Sequence, residues 1–220
     1  MSDTRPLTGP LSDLVRQLRR PVSVGQGDEL DPRAVELARR EGQERMRRVQ
    51  WAASVPQRFV DAEPPDFAGE VGAALAEWSN SDHPPNLLVV GPTGTGKSHA
   101  AVAAIRRAFF AGRDVGFWPV AELCDWLRPG PDDRERMGDL MDLDRLVIDD
   151  VGAERSTEWT VERLDIVVNR RWLEERPTVV TSNLEPTALE GHIGEHCYSR
   201  LVGSGAVALR LTGADRRRSK

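Results

Sequence analysis

From Leu87 onward, short apolar runs alternate with longer amphipathic stretches. Leu87 to Val90 predicts a buried strand, Lys97 to Ala111 a helix, and Asp114 to Trp118 a second strand. Val120 to Leu127 has helical character, and Arg145 to Asp149 is a third apolar strand that ends in carboxylates. Thr160 to Glu175 predicts an amphipathic helix with Val161, Leu164, Val168 and Trp172 on one face. Thr178 to Ser182 is a fourth strand. Two short helical pieces then lead to a fifth at Val207 to Leu211. Alternation of this kind predicts a five-stranded, mainly parallel sheet between two helical layers, a three-layer α/β/α core.

Upstream the pattern is different. A helix over Ala68 to Trp78 precedes the Pro84-Pro85 break, and residues 1–54 are charged and poor in apolar runs. Leu11 to Arg20 reads as a short helical piece, and Pro21 to Asp31 as a linker. A longer helix begins at Asp31-Pro32 and runs towards Gln50. Its apolar stripe is thin (Val35, Ala38, Met46, Val49), as suits either a solvated helix or an arm that binds a partner. The expected organisation is a helical, partly flexible extension over 1–54, a nucleotide-binding domain over 55–216 and a basic tail over 217–220.

Composition narrows this little. The chain has 220 residues and a formal net charge of −5, so any nucleic-acid contact must come from a local patch. No apolar run approaches the roughly 20 residues of a membrane span. The N-terminus lacks the apolar core of a secretory signal, so a cytoplasmic protein is expected. Cys124 and Cys197 lie far apart in helical stretches, which suggests neither a disulfide nor a zinc site. Positive charge is carried almost wholly by arginine, yet position 97 is one of only two lysines, the other being Lys220. A compact ammonium on a flexible stem acts there as a point charge that a planar guanidinium does not replace freely.

That lysine belongs to Gly91-Pro92-Thr93-Gly94-Thr95-Gly96-Lys97-Ser98, a complete phosphate-binding loop set between a strand and a helix. Glycines let successive N–H groups turn inward on a phosphate, and the helix presents its positive end. Lys97 would bridge the β- and γ-phosphates of ATP, and Ser98 would ligate Mg²⁺. The strand Leu146-Val147-Ile148-Asp149-Asp150 would deliver Asp149 to the metal, through water, and Asp150 to the attacking water. Thr181-Ser182-Asn183 ends the fourth strand, where an open sheet faces its ligand, so Asn183 can hold water or the γ-phosphate. An exposed Arg200 would complete the site of a neighbouring subunit, or else form a surface salt bridge.

Taken together, the phosphate loop, Val147 to Glu154, Thr181 to Leu184 and Ser199-Arg200-Leu201 resemble the replicative helicase loaders of bacteria and phages. These are the DnaC/DnaI-like AAA+ ATPases, a family that includes the IstB-type transposition helpers. Val55-Pro56-Gln57-Arg58-Phe59 resembles the family's lead-in, so the likeness covers about residues 55 to 216. It implies an AAA+ core with Asn183 as sensor, Arg200 as a finger acting in trans, and Arg216 as a second nucleotide-sensing arginine. It also implies partners: a hexameric replicative DNA helicase, single-stranded DNA, and further copies of the chain joined through the ATP site. No membrane is involved.

The chain departs from the family pattern in places. Asp150 stands where many AAA+ proteins have Glu, a difference some loaders share; it shortens the reach to water and implies slow intrinsic hydrolysis. His196 stands where an additional Arg is common, and the short N-terminal zone has no cysteine cluster. A transposition helper, a small-molecule P-loop kinase and a nucleotide-gated adaptor are the competing readings; no mobile arginine-rich lid between Thr181 and Arg210 favours the kinase. Arg106, Arg107, Arg113, Arg134 and Arg136 could line a DNA path, with Phe109, Phe110 or Trp118 as stacking faces. The simpler reading makes these arginines surface charge, with Phe109 and Trp118 in the core.

Overall fold

The computed structural model describes residues 32–130, 133–203 and 205–215. The expected helix at Leu11 to Arg20, the linker before Pro32, Arg216 and the basic tail lie outside the described residues. Chain contacts divide at Gln43, and everything from Glu44 onward packs as one compact unit. Helix α1 spans Pro32–Ser54. Its residues 36–43 are exposed, whereas Trp51 near its end is buried and donates from Nε1 to the Val60 carbonyl at 2.7 Å.

Two 3₁₀ turns, Gln57–Phe59 and Pro64–Asp66, lead to α2, Gly69–Asn80. Then follow β1 (Leu87–Val90), α3 (Lys97–Phe110), β2 (Val115–Pro119), α4 (Val120–Trp126) and α5 (Asp133–Asp142). The remainder is β3 (Arg145–Val151), α6 (Glu158–Leu173), β4 (Thr178–Ser182), α7 (Pro186–Ile193), α8 (Glu195–Val202) and β5 (Val207–Arg210). The expected elements are thus present with ends shifted by a few residues. Helix α5 is additional; among dense charge it carries only the short apolar set Met137, Leu140 and Met141, with Leu140 buried.

All strand pairs are parallel, in the order β2-β3-β4-β1-β5. Alternate residues feed two cores, as the two-residue period of a strand requires. Leu87, Val89, Phe117, Val147 and Val179 face a layer built from the end of α1, α2 and the alanine-rich side of α3. Leu88, Val90, Trp118, Leu146, Ile148 and Val180 face α4 to α8. This is the expected three-layer α/β/α arrangement, with the sheet wholly parallel.

Two side chains on α6 depart from the expected face. Arg171 is fully buried, and Trp172 is 47% exposed. The buried stripe runs through Thr160, Leu164, Val167, Val168 and Arg171, a helical period shifted by one residue from the expected one. The Arg171 guanidinium bonds the carbonyls of Leu140 (2.8 Å), Leu143 (2.9 Å) and Pro177 (2.9 Å) and the Thr178 hydroxyl (3.1 Å). It ties the end of α5 to the start of β4, so a core position takes an arginine because loop carbonyls there need donors.

Candidate nucleotide site

Strand order sets the site. β4 lies between β1, which leads into the phosphate loop, and β3, which carries the carboxylates. The carboxyl ends of three neighbouring strands therefore converge, the place where open parallel sheets hold ligands. The loop leaves β1 at Gly91, whose N–H donates to the Ser182 carbonyl at 3.3 Å. Gly94 and Gly96 have φ of 85° and 102°, conformations that disfavour any side chain. They wrap the loop around the Pro92 carbonyl, which accepts from Lys97 Nζ (2.8 Å) and Thr95 Oγ1 (2.8 Å).

Lys97 is buried and opens α3. Its ammonium and the N-terminal end of the helix are thus gathered at one point, which suits a phosphate anion. Thr93 Oγ1 lies 3.5 Å from Asn183 Oδ1. The residues present fit a nucleoside triphosphate at its phosphates, with Lys97 as the counter-charge.

The end of β3 is irregular. β3 advances from Ile148 to Val151 while β4 advances from Val180 to Ser182, so β3 carries one extra residue, a bulge. Asp150 takes up the strain with φ 60°. In a regular strand Asp149 and Asp150 would face opposite sides of the sheet. The bulge brings both into one polar chain. The Thr181 hydroxyl donates to Asp149 Oδ1 at 2.6 Å, the Asp150 N–H donates to Thr181 Oγ1 at 2.8 Å, and Asn183 Nδ2 donates to Asp150 Oδ1 at 2.7 Å. Ser98, on the loop side, favours the charged form of the Asp149 carboxyl.

Burial pushes the Asp149 carboxyl above its ordinary range, more than the hydrogen bonds from Thr181 and Ser98 pull it down; Asp150 adds to the rise and Lys97 opposes it. A divalent cation would remove the repulsion and use the carboxylate and the Ser98 hydroxyl, both hard oxygen ligands suited to Mg²⁺.

The site residues singled out in the sequence therefore fall in two places. Gly91 to Ser98, Asp149, Asp150 and Asn183 stand together. Arg200 is held elsewhere: its Nη1 lies 3.5 Å from Asp165 Oδ1, and the guanidinium stands 5.8 Å from the Trp172 ring centre. Both partners belong to α6.

Arg107 is exposed, whereas other candidate DNA-path side chains have local duties. Arg106 donates to the Val60 carbonyl (2.9 Å), Arg113 faces Asp82 (3.5 Å), and Arg136 donates to the Trp126 carbonyl (2.7 Å). Phe109 and Phe110 pack against Trp51, and Trp118 is buried against Trp126. The side chain of Arg134 lies outside the described residues.

Three participants were not singled out in the sequence. Thr181 was visible only as a neighbour of Asn183. Glu154, after β3, accepts from Gly152 N (2.8 Å) and meets His192 Nε2 (2.7 Å), linking the loop after β3 to α7. Asp215 lies against the phosphate loop: a Cβ on Gly94 would stand 2.0 Å from its Oδ1. Nothing local in the sequence signals that approach, which follows from β5 pairing with β1.

A model of the IstB-like ATP binding proteins matches residues 35–197. The chain belongs to that family. Membership makes it a nucleotide-binding protein, and its fold is the P-loop AAA+ fold. Over 121 residues it is 27% identical to the replicative helicase loader DnaC of Escherichia coli K12, covering 53% of this chain and 49% of DnaC. The chain thus spans about half the length of the DnaC relatives it matches. Over 181 residues it is 27% identical to an insertion-sequence ATP-binding protein of Mycobacterium tuberculosis H37Rv, covering 77% of this chain and 72% of that protein. A crystal structure of the DnaC helicase loader superposes with a TM-score of 0.63 at 20% identity, covering 70% of this chain and 99% of that one. This last likeness concerns the fold.

Proposed function

We propose that the chain is an ATP-hydrolysing AAA+ switch that delivers a replicative DNA helicase onto single-stranded DNA. The observation that carries the hydrolytic part is the polar chain from Asp149 through Thr181 and Asp150 to Asn183. It brings a metal-binding carboxylate and a water-orienting one to the mouth of the phosphate loop. Lys97 and the loop amides hold the β- and γ-phosphates. Ser98 and Asp149 hold Mg²⁺, which neutralises phosphate charge when bound. Asp150 orients water and Asn183 fixes Asp150. Arg216 is assigned by the family resemblance as a second nucleotide-sensing arginine.

Arg200 is assigned to the site of a neighbouring copy by the family resemblance; in its own subunit it meets α6. Self-association through the ATP site follows. Residues 1–54 are assigned as the partner-binding extension, with its end from Glu44 packed on the ATPase core, 55–216 as the ATPase domain and 217–220 as a basic tail. The helicase as cargo rests on the likeness to DnaC. Asp150 reaches less far than Glu by one methylene, so turnover without partners is slow. Steady turnover near a typical enzyme's ~10 per second would count against this.

The test combines the purified chain with the replicative helicase of its own organism and single-stranded DNA. ATP-dependent co-elution with the helicase and placement of the ring on the strand are expected. Absence of any association with the helicase removes the loader reading. The insertion-sequence relative, aligned over 77% of this chain, favours a second reading, a transposition helper. ATP-dependent binding to a transposase in place of a helicase would establish that one.

A further inference from the structure

Thr181 sits on β4 opposite the bulge in β3 and is 1% exposed. Its hydroxyl makes two bonds across the strands at once. The Asp150 N–H is only a donor, so the hydroxyl oxygen accepts from it at 2.8 Å. The hydroxyl proton is then directed at Asp149 Oδ1, 2.6 Å away. A hydroxyl has one proton and two lone pairs, so both duties are met together without competition.

Each bond has a structural consequence. The first anchors a backbone held at φ 60°, a conformation rare for a residue with a side chain and stable only where its surroundings fix it. With the peptide anchored, the Asp150 carboxylate reaches Asn183. The second bond fixes the rotation of the Asp149 carboxyl group and favours its charged form, while Ser98 approaches it from the phosphate loop. One side chain thus sets the aim of both acids. A hydroxyl that only satisfied a buried N–H would need no carboxylate partner.

We propose that Thr181 is the positioning residue of this site: its single hydroxyl registers the metal-binding Asp149 with the water-orienting Asp150. The assignment rests on reading the chain as an ATP hydrolase. Valine has nearly the same outline as threonine and makes neither bond. Serine keeps the hydroxyl and loses only a methyl group.

The experiment compares wild type, Thr181→Val and Thr181→Ser for kcat, KM, and ATP affinity with and without Mg²⁺. Thr181→Val is expected to lower kcat about 10- to 100-fold, the usual effect of removing a group that orients a ligand. Its metal-free ATP affinity stays at the wild-type level, because the loop and Lys97 are untouched, and the Mg²⁺ needed for half-maximal rate rises. Thr181→Ser keeps both near wild type. A Val variant that turns over like wild type overturns the proposal, as does a Ser variant as impaired as Val. If Val does not fold, Thr181→Cys, which differs from Thr181→Ser by sulfur in place of oxygen and is weak in hydrogen bonding, makes the same comparison against Ser. If wild type itself shows no turnover, the hydrolase reading fails separately. Calorimetry then decides the role of Thr181: loss of the Mg²⁺ effect on ATP affinity in Val supports it, and an unchanged effect refutes it.

Discussion

Asn183 Nδ2 donates to Asp150 Oδ1 across 2.7 Å, and the Asn183 carbonyl oxygen lies 3.5 Å from Thr93 in the phosphate loop. One amide therefore touches both the acid proposed to orient water and the loop proposed to hold phosphate. Asp150→Asn is expected to lower ATP turnover by about 10²- to 10⁴-fold, the usual share of a positioned acid or base. Nucleotide affinity stays close to wild type. Single-turnover hydrolysis and equilibrium titration with a fluorescent nucleotide separate the two. A parallel loss of affinity would assign Asp150 to binding.

Arg200 is held by Asp165 and Trp172 on α6. If it completes a neighbouring site, Arg200→Ala and Lys97→Ala variants are each inactive alone, while a mixture regains activity. The Lys97→Ala copy then supplies the arginine and the Arg200→Ala copy supplies the intact loop. Mixed-subunit turnover at several ratios checks this; a mixture as inactive as its components would place Arg200 outside the chemistry.

Burial raises the Asp149 carboxyl above its ordinary value of 3.8, so the native chain binds this proton more tightly than the unfolded chain does. The associated stability is present below the ordinary value and is lost as pH rises through the raised one. Near neutral pH the free protein therefore holds a buried charge at a cost. Asp149→Asn, without metal or nucleotide, is expected to melt above wild type at neutral pH, with the gap closing on acidification. Hydrolysis is abolished. Melting scans across pH test the sign, and a lower Tm for the Asn variant at neutral pH would refute it.

Arg171 bonds the carbonyls of Leu140, Leu143 and Pro177 while fully buried. Arg171→Met removes the donors and leaves those acceptors dry, at an expected cost of about 3 kcal/mol or more in unfolding free energy. Denaturant titration measures it. A loss under about 1 kcal/mol would mean that water or a backbone shift replaces the guanidinium.

Much of this was legible in the chain. Apolar runs such as Leu87 to Val90 and Leu146 to Ile148 read as strands because both faces of a parallel sheet are covered. The glycines of Gly91 to Ser98 read as a loop because few other residues adopt its turns. Three features were not legible. The bulge at Asp149 and Asp150 depends on pairing with β4, a partner that no local pattern reveals. The inward turn of Arg171 depends on carbonyls at the end of α5, whose approach no local pattern reveals. The departure of Trp172 to the surface follows from the same one-residue shift of the buried face, which hydrophobicity alone assigns the other way.

The neighbourhood of Gly94 has a further consequence. Its outer side abuts Asp215, and Gly91 stands so close to the Leu211 carbonyl that a Cβ would lie 2.2 Å from that oxygen. The loop is thus a thin partition, with the phosphate site on one side and the chain's own exit from β5 on the other. Glycine is required there twice over, once for curvature and once for clearance. Alanine at position 91 would press on the Leu211 backbone and at position 94 would displace the Asp215 side chain, so a defect in such a variant reports on two walls at once. A phosphate loop transplanted from a protein without this exit strand, and bulkier at position 94, would not fit here however well it bound nucleotide at home.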